Sequence, residues 1–210
     1  MTTLTNEHVM MGAFHALANA VRFLEDAAVL YEKRRRSSSY LSTVAAREEL
    51  GRFNILWRAV VQIDGGLVIT AKELRNRLRP NKEAHHAKLQ AGQSTFFFQG
   101  ALPVETFVER QSRYSEMRMT DSRITYEQRL SEQYVDLSDD GSWSVPGKIS
   151  LHDVLMFIWV VAGEVGGALL SGEDDQRFAS ALLASRVSLP LSTDLQNRIF
   201  SLPQFDNAET

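Results

Sequence analysis

Cysteine is absent from all 210 residues. That excludes a disulfide scaffold, a thiolate metal site and a thiol nucleophile, and it fits a reducing cytosol. Five histidines are then the only soft metal ligands left. Long hydrophobic runs are also missing, since the longest, Val154–Ala162, is too short to span a bilayer. The first twelve residues are polar and mixed, with no basic start leading into an apolar stretch, so no signal peptide is expected. These absences predict a soluble, cytoplasmic protein with no membrane partner. A surplus of positive charge is lacking too: the net charge of −3 argues against a surface wrapped in nucleic acid. With 44% apolar residues, the chain can bury one substantial core, and a single domain over 1–210 is expected, with its body at about 6–170 and a C-terminal helical extension at about 171–205.

Charge is nevertheless uneven. Between residues 70 and 90, Lys72, Arg75, Arg77, Arg79, Lys82 and Lys88 face only Glu73 and Glu83, which leaves +4. This is either a local RNA-binding patch, with Arg75, Arg77, Lys82 and Lys88 as phosphate contacts, or a solvated helical face. A second basic run, Lys33–Arg36, either complements a helix dipole or touches nucleic acid.

The periodicity is helical along most of the chain. Met10, Phe14, Leu17, Val21, Leu24, Ala28 and Tyr31 alternate spacings of four and three, which predicts a helix over 6–36. Ser37, Ser38 and Ser39 are candidate N-caps for a second helix running to about Ile63, ended by Asp64-Gly65-Gly66. Two long amphipathic helices joined by a short turn form an antiparallel pair. A third helix is predicted over Thr70–Leu78, interrupted at Pro80, which is itself suited to open another helix over Pro80–Ala91 before Gly92. After a loop at Gln93–Gly100, helix is predicted over Pro103–Met119. Tyr134-Val-Asp-Leu, then Ser138-Asp-Asp-Gly141, Trp143 and Pro146, predict a short extended excursion near 132–148. Helices resume at about Leu151–Ser171, Asp174–Val187 and Thr193–Ser201. The expected fold is all-α.

The chemistry concentrates in Arg79-Pro-Asn-Lys-Glu-Ala-His85-His86-Ala-Lys88. Arginine offers a permanent fork of donors for phosphate, and an imidazole moves protons near neutral pH. In an unbroken helix Arg79 and His85 face different ways, but Pro80 frees Arg79 to fold back over the first turn, whose open backbone donors also favour an anion. Attack of a ribose 2′-hydroxyl on the adjacent phosphodiester follows as the candidate reaction, with Arg79 holding the developing charge and no metal or other cofactor required. The bland reading makes His85 and His86 surface or capping residues. Glu48 and Glu49 lie mid-helix, and Glu49 must approach the apolar face beside Ala46, Leu50 and Phe53. Such a carboxylate needs a partner: a catalytic histidine or Arg79 on the functional reading, Arg47 or Arg52 on the structural one. Gly51 would let another helix backbone pass close. Glu83 and His86 share the Glu-x-x-His spacing of di-iron bundles, but no second copy occurs. His8, His15 and His152 have no partners at ligand spacing.

Phe23-Leu-Glu-Asp-Ala-Ala-Val-Leu-Tyr-Glu, Glu48-Glu-Leu-Gly-Arg52, His85-His-Ala-Lys-Leu89 and Tyr134-Val-Asp-Leu-Ser-Asp-Asp-Gly-Ser-Trp143, in that order, resemble the AbiV-type abortive infection proteins of the HEPN superfamily. The resemblance covers about residues 12–170. It implies a HEPN-like antiparallel helix bundle, often dimeric, and an antiviral role in which a toxin-like, metal-independent endoribonuclease blocks host translation. It also implies the superfamily signature of arginine, four to six residues, then histidine, which Arg79 matches with His85 or His86. Two departures stand out: Pro80 follows the arginine where active members carry a polar residue, and Arg52 stands where the family usually has lysine. The expected site therefore comprises Arg79, His85, His86, Glu48 and Glu49, with no metal. The expected partners are RNA or the translation machinery, a phage protein as trigger, and a second copy of the chain. The alternative is a non-catalytic helical protein that binds a translation component or a phage protein.

Overall fold

The computed structural model describes residues 3–78, Lys88, 122–137, 142–173, 176–185 and 188–205. Among these residues the protein is an all-α bundle of seven helices with one two-residue-deep β-ribbon. Helix α1 (Asn6–Glu32) and α2 (Arg36–Asp64) form the predicted antiparallel pair. Asn6 at the start of α1 donates to Asp64 at the end of α2, while the Ser39 hydroxyl at the start of α2 donates to the Ala27 carbonyl at 2.7 Å. The apolar stripe expected on α1 is the buried one: Phe14, Leu17, Leu24 and Tyr31 are shut away from solvent.

The two long helices stop by the same device. At the end of α2, the Gly66 amide donates to the Ile63 carbonyl and the Leu67 amide to Gln62, with Gly66 at φ 89°. At the end of α1, the Arg34 amide donates to Tyr31 and the Arg35 amide to Leu30, with Arg34 at φ 54°. Both are Schellman closures, which call for a left-handed residue and normally take glycine. Arg34 occupies that place with its guanidinium 4.7 Å from the Phe205 ring centroid. This closure ends α1 at Glu32, four residues short of expectation, and leaves the serines inside the first turn of α2. They are not its caps: Arg35 is the N-cap residue and makes no side-chain cap bond. Ser37 donates to Glu132 and Ser39 to Ala27, so these hydroxyls tie elements together.

Helix α3 (Ala71–Leu78) opens on a reciprocal capping box. The Thr70 amide and hydroxyl donate to the Glu73 carboxylate at 2.8 and 2.7 Å, and the Glu73 amide returns a bond to the Thr70 hydroxyl at 3.2 Å. The Thr70 backbone bond, with help from its hydroxyl, holds the Glu73 carboxyl below its ordinary pKa.

Helix α4 (Ser122–Gln133) leads into the extended excursion, where β1 (Asp136–Leu137) pairs antiparallel with β2 (Trp143–Ser144). Buried Glu132 anchors it by accepting from the Ser37 hydroxyl at 2.6 Å, the Gly147 amide at 2.7 Å and the Ile149 amide at 3.1 Å. Helix α5 (Leu151–Glu173) is the central apolar rod, and Tyr40 of α2 packs on its Phe157 with ring centroids 5.3 Å apart. By length and composition Leu151–Leu170 could cross a membrane, a longer apolar helix than the sequence run suggested, but 72% of its window is buried inside the bundle. Helix α6 (Gln176–Ser185) inserts Phe178 among Phe14, Phe53 and Trp57. Helix α7 (Ser192–Phe200) docks on α5, where the Trp159 indole N–H donates to the Ile199 carbonyl at 3.2 Å and Ser192 donates to the Gly166 carbonyl at 2.9 Å.

Candidate functional site

Three consecutive charged residues of α2 divide between two faces. Arg47 points into the core and donates to Glu164 of α5 at 2.9 Å. Burial pushes the Glu164 carboxyl up to about 7 against the opposing pull of Arg47. Its second oxygen, Oε2, is buried and meets no hydrogen-bond partner among the described residues. The other two carboxylates, Glu48 and Glu49, are half-buried and turn toward α4 and Lys88.

Glu48 accepts from Arg129 of α4 at 2.6 Å, and Glu49 pairs with Arg52 one turn along at 2.9 Å. Of the partners expected for Glu49, Arg52 is therefore realised among the described residues, while Arg47 is taken by Glu164. Pairing across one helical turn needs only spacing, so the first was legible in the sequence. The Oε2 atom of Glu49 and the Nε of Arg52 remain buried with no hydrogen-bond partner among the described residues.

Lys88 joins this group from the segment that carries the arginine and histidine motif. Burial pushes its ammonium below the ordinary lysine pKa, Arg52 and Arg129 push the same way, and Glu48 and Glu49 oppose them. Only 1% of Lys88 is exposed, so it faces protein rather than solvent. What brings it there is Gly51. A Cβ built on residue 51 would lie 1.8 Å from the Lys88 carbonyl oxygen and 2.5 Å from its carbonyl carbon, so two backbones pass where no side chain fits. The close approach expected at Gly51 is present, at the usual cost of about 1 kcal/mol for glycine rather than alanine inside a helix.

Of the other expected site residues, Arg79, His85, His86 and Lys82 lie outside the described residues, as do Pro80, Glu83 and the stretches where a loop at Gln93–Gly100 and a helix at Pro103–Met119 are expected. Arg75 and Arg77 are exposed on α3, with Arg77 donating to Gln62 at 3.2 Å. His8 bonds the Thr5 hydroxyl at the mouth of α1, and His15 is exposed. Among the described residues no three His, Asp or Glu side chains gather where one metal ion could be shared.

Sequence reasoning missed Arg129 and the pair of Arg47 with Glu164. A lone carboxylate inside the apolar run of α5 was the available sign that Glu164 needs a buried cation. For Arg129 the sequence carried no sign, because its partner lies 81 residues away.

The AbiV family model, HEPN_AbiV, matches residues 8–167, more than half of the chain. The protein belongs to the AbiV family of HEPN proteins. That segment holds all but the first two residues of α1, then α2 to α4, the ribbon, most of α5 and the whole arginine and histidine stretch, whereas α6 and α7 lie beyond it. AbiV membership places the chain with abortive-infection, HEPN-type defence proteins. No curated protein and no solved structure matches it.

Proposed function

We propose that this AbiV protein is a toxin-like, metal-independent endoribonuclease acting in phage defence, with Arg79, His85 and His86 working beside Glu48 and Glu49. The observation that carries the reading is the seat of Lys88 on Gly51. It sets the end of the motif segment, two residues beyond His86, among the charges of Glu48, Glu49, Arg52 and Arg129.

In the proposed reaction one imidazole accepts the proton of a ribose 2′-hydroxyl as its oxygen attacks the adjacent phosphorus. The bond from phosphorus to the 5′-oxygen breaks, and the second imidazole returns a proton to that leaving oxygen. Arg79 holds the charge that gathers on the phosphoryl oxygens. Glu48 and Glu49 orient the imidazoles and stabilise their protonated forms. Exposed Arg75 and Arg77 hold flanking phosphates by charge alone. A homodimer would bring two copies of the site together; a monomeric mass by light scattering would count against that composite arrangement.

The test is cleavage of total RNA by the purified protein with excess chelator. The reading expects fragments ending in 2′,3′-cyclic phosphate and 5′-hydroxyl, and loss of both cleavage and cellular toxicity in His85→Ala. Exposed Tyr134 and Val135 beside the ribbon favour the second reading, a non-catalytic protein that binds a translation component or a phage protein. Toxicity that survives His85→Ala decides for it.

A further inference from the structure

Gly51 is buried near the middle of α2, where helix formation by itself prefers alanine. The atoms that an added Cβ would strike all belong to the Lys88 backbone: the oxygen at 1.8 Å, the carbonyl carbon at 2.5 Å and the Cα at 2.9 Å. Backbone cannot swing aside as a flexible side chain can, so any larger residue at 51 has to push the Lys88 segment off α2. Lys88 as a whole is only 1% exposed, and its ammonium feels the attraction of Glu48 and Glu49 of α2 against the repulsion of Arg52 of α2 and Arg129 of α4. A buried ammonium is stable only where carboxylates answer it. The contact is thus steric at the glycine and electrostatic at the lysine, and each part supports the other.

We infer that Gly51 and Lys88 are positioning residues for the site proposed above: the carbonyl of Lys88 seats on the glycine, its buried ammonium is answered by Glu48 and Glu49, and together they fix against α2 the end of the stretch that carries Arg79, His85 and His86 in the sequence. This rests on the ribonuclease reading. Neither residue touches substrate. Gly51 acts by leaving room, and Lys88 acts by fixing its own segment and adding positive charge beside the two carboxylates.

The test uses full-length Gly51→Ala, Lys88→Met and Lys88→Arg, with two measurements that fail independently. In the first, all lysines are acylated with an amine-reactive reagent and their rates followed by mass spectrometry. Lys88 of the unmodified protein is expected to react about tenfold or more slowly than exposed Lys72 and Lys148, and to lose that protection in Gly51→Ala while helicity is retained. The second is the pH dependence of RNA cleavage. Gly51→Ala is expected to lower kcat about tenfold or more, as misplacement of reacting groups does. Lys88→Met should move the acidic limb of the profile up by about half a pH unit, because removing a cation strengthens proton binding at nearby groups, and Lys88→Arg should restore the limb. A general loss of fold would scale the profile without moving it.

Labelling of Lys88 at the rate of Lys72 in the unmodified protein overturns the inference. So does cleavage by Gly51→Ala at the unmodified rate, which leaves the ribonuclease reading standing. Protection lost in Gly51→Ala, in a protein that cleaves no RNA, supports the dock between the two residues and overturns the ribonuclease reading instead.

Discussion

Arg47 and Glu48 are neighbours on one helix, yet they belong to two different electrostatic worlds. Arg47 and Glu164 pair in the core, with side chains 0% and 10% exposed. Glu48 and Glu49 sit in a mixed cluster with Arg52, Lys88 and Arg129, where Arg52 and Glu49 are 36% and 12% exposed. In the core, desolvation decides the outcome and pushes a carboxyl up to about 7 despite a guanidinium at 2.9 Å. At the cluster, several partial partners share the charge, and solvent screens part of it. The difference teaches that α2 carries a structural face and a candidate functional face one residue apart.

The contrast breaks most visibly at Arg47. Arg47→Met strands Glu164 in the core and is expected to cost about 3–5 kcal/mol in urea unfolding, and pairing it with Glu164→Leu should recover most of that loss. Recovery of none would show that the guanidinium serves packing against Phe157, 5.7 Å from its ring centroid, more than charge.

Next comes the pH dependence of that same pair. The Glu164 carboxyl is raised from 4.5 to about 7 in the folded protein, so folding favours its protonated form. Its contribution is full below about pH 4.5 and is lost as the pH rises through about 7, a change on the order of 3 kcal/mol at most. The thermal midpoint should therefore fall between pH 5 and 8 relative to Glu164→Gln. Parallel pH curves for the two proteins would contradict this.

Glu48→Gln inverts the pattern. Its stability change should stay within about 1 kcal/mol, because its pair with Arg129 is partly exposed, while RNA cleavage should drop about tenfold or more through loss of its help to the imidazoles. A large unfolding penalty with intact cleavage would move Glu48 to the structural face.

The smallest effect belongs to Arg52→Gln, which should change stability by about 0.3–0.5 kcal/mol, an amount that shrinks at high salt. A cost that survives high salt would mean that buried Nε matters more than the ion pair.

The sequence made the long helices legible because their stripes run for many turns. The close approach at Gly51 was legible as well, since a glycine amid strong helix formers asks for a close neighbour. The corner at Arg34 was not: a serine triplet suggests caps, but the turn is closed by backbone bonds and a left-handed arginine supported by Phe205, 171 residues further on. Long-range choices such as Arg129 for Glu48 and Glu164 for Arg47 depend on which helices pack together, and no local pattern encodes that.

Trp159 turns one of those packings into an optical signal. Its indole bonds to the Ile199 carbonyl, so the ring stands at the seam between the AbiV-matched segment and the last helix. Departure of α7 leaves that N–H to water and moves the emission to longer wavelength, while α1 and α2 keep their ellipticity. Fluorescence and circular dichroism recorded on one sample therefore separate release of the C-terminal helices from melting of the bundle, with no label added.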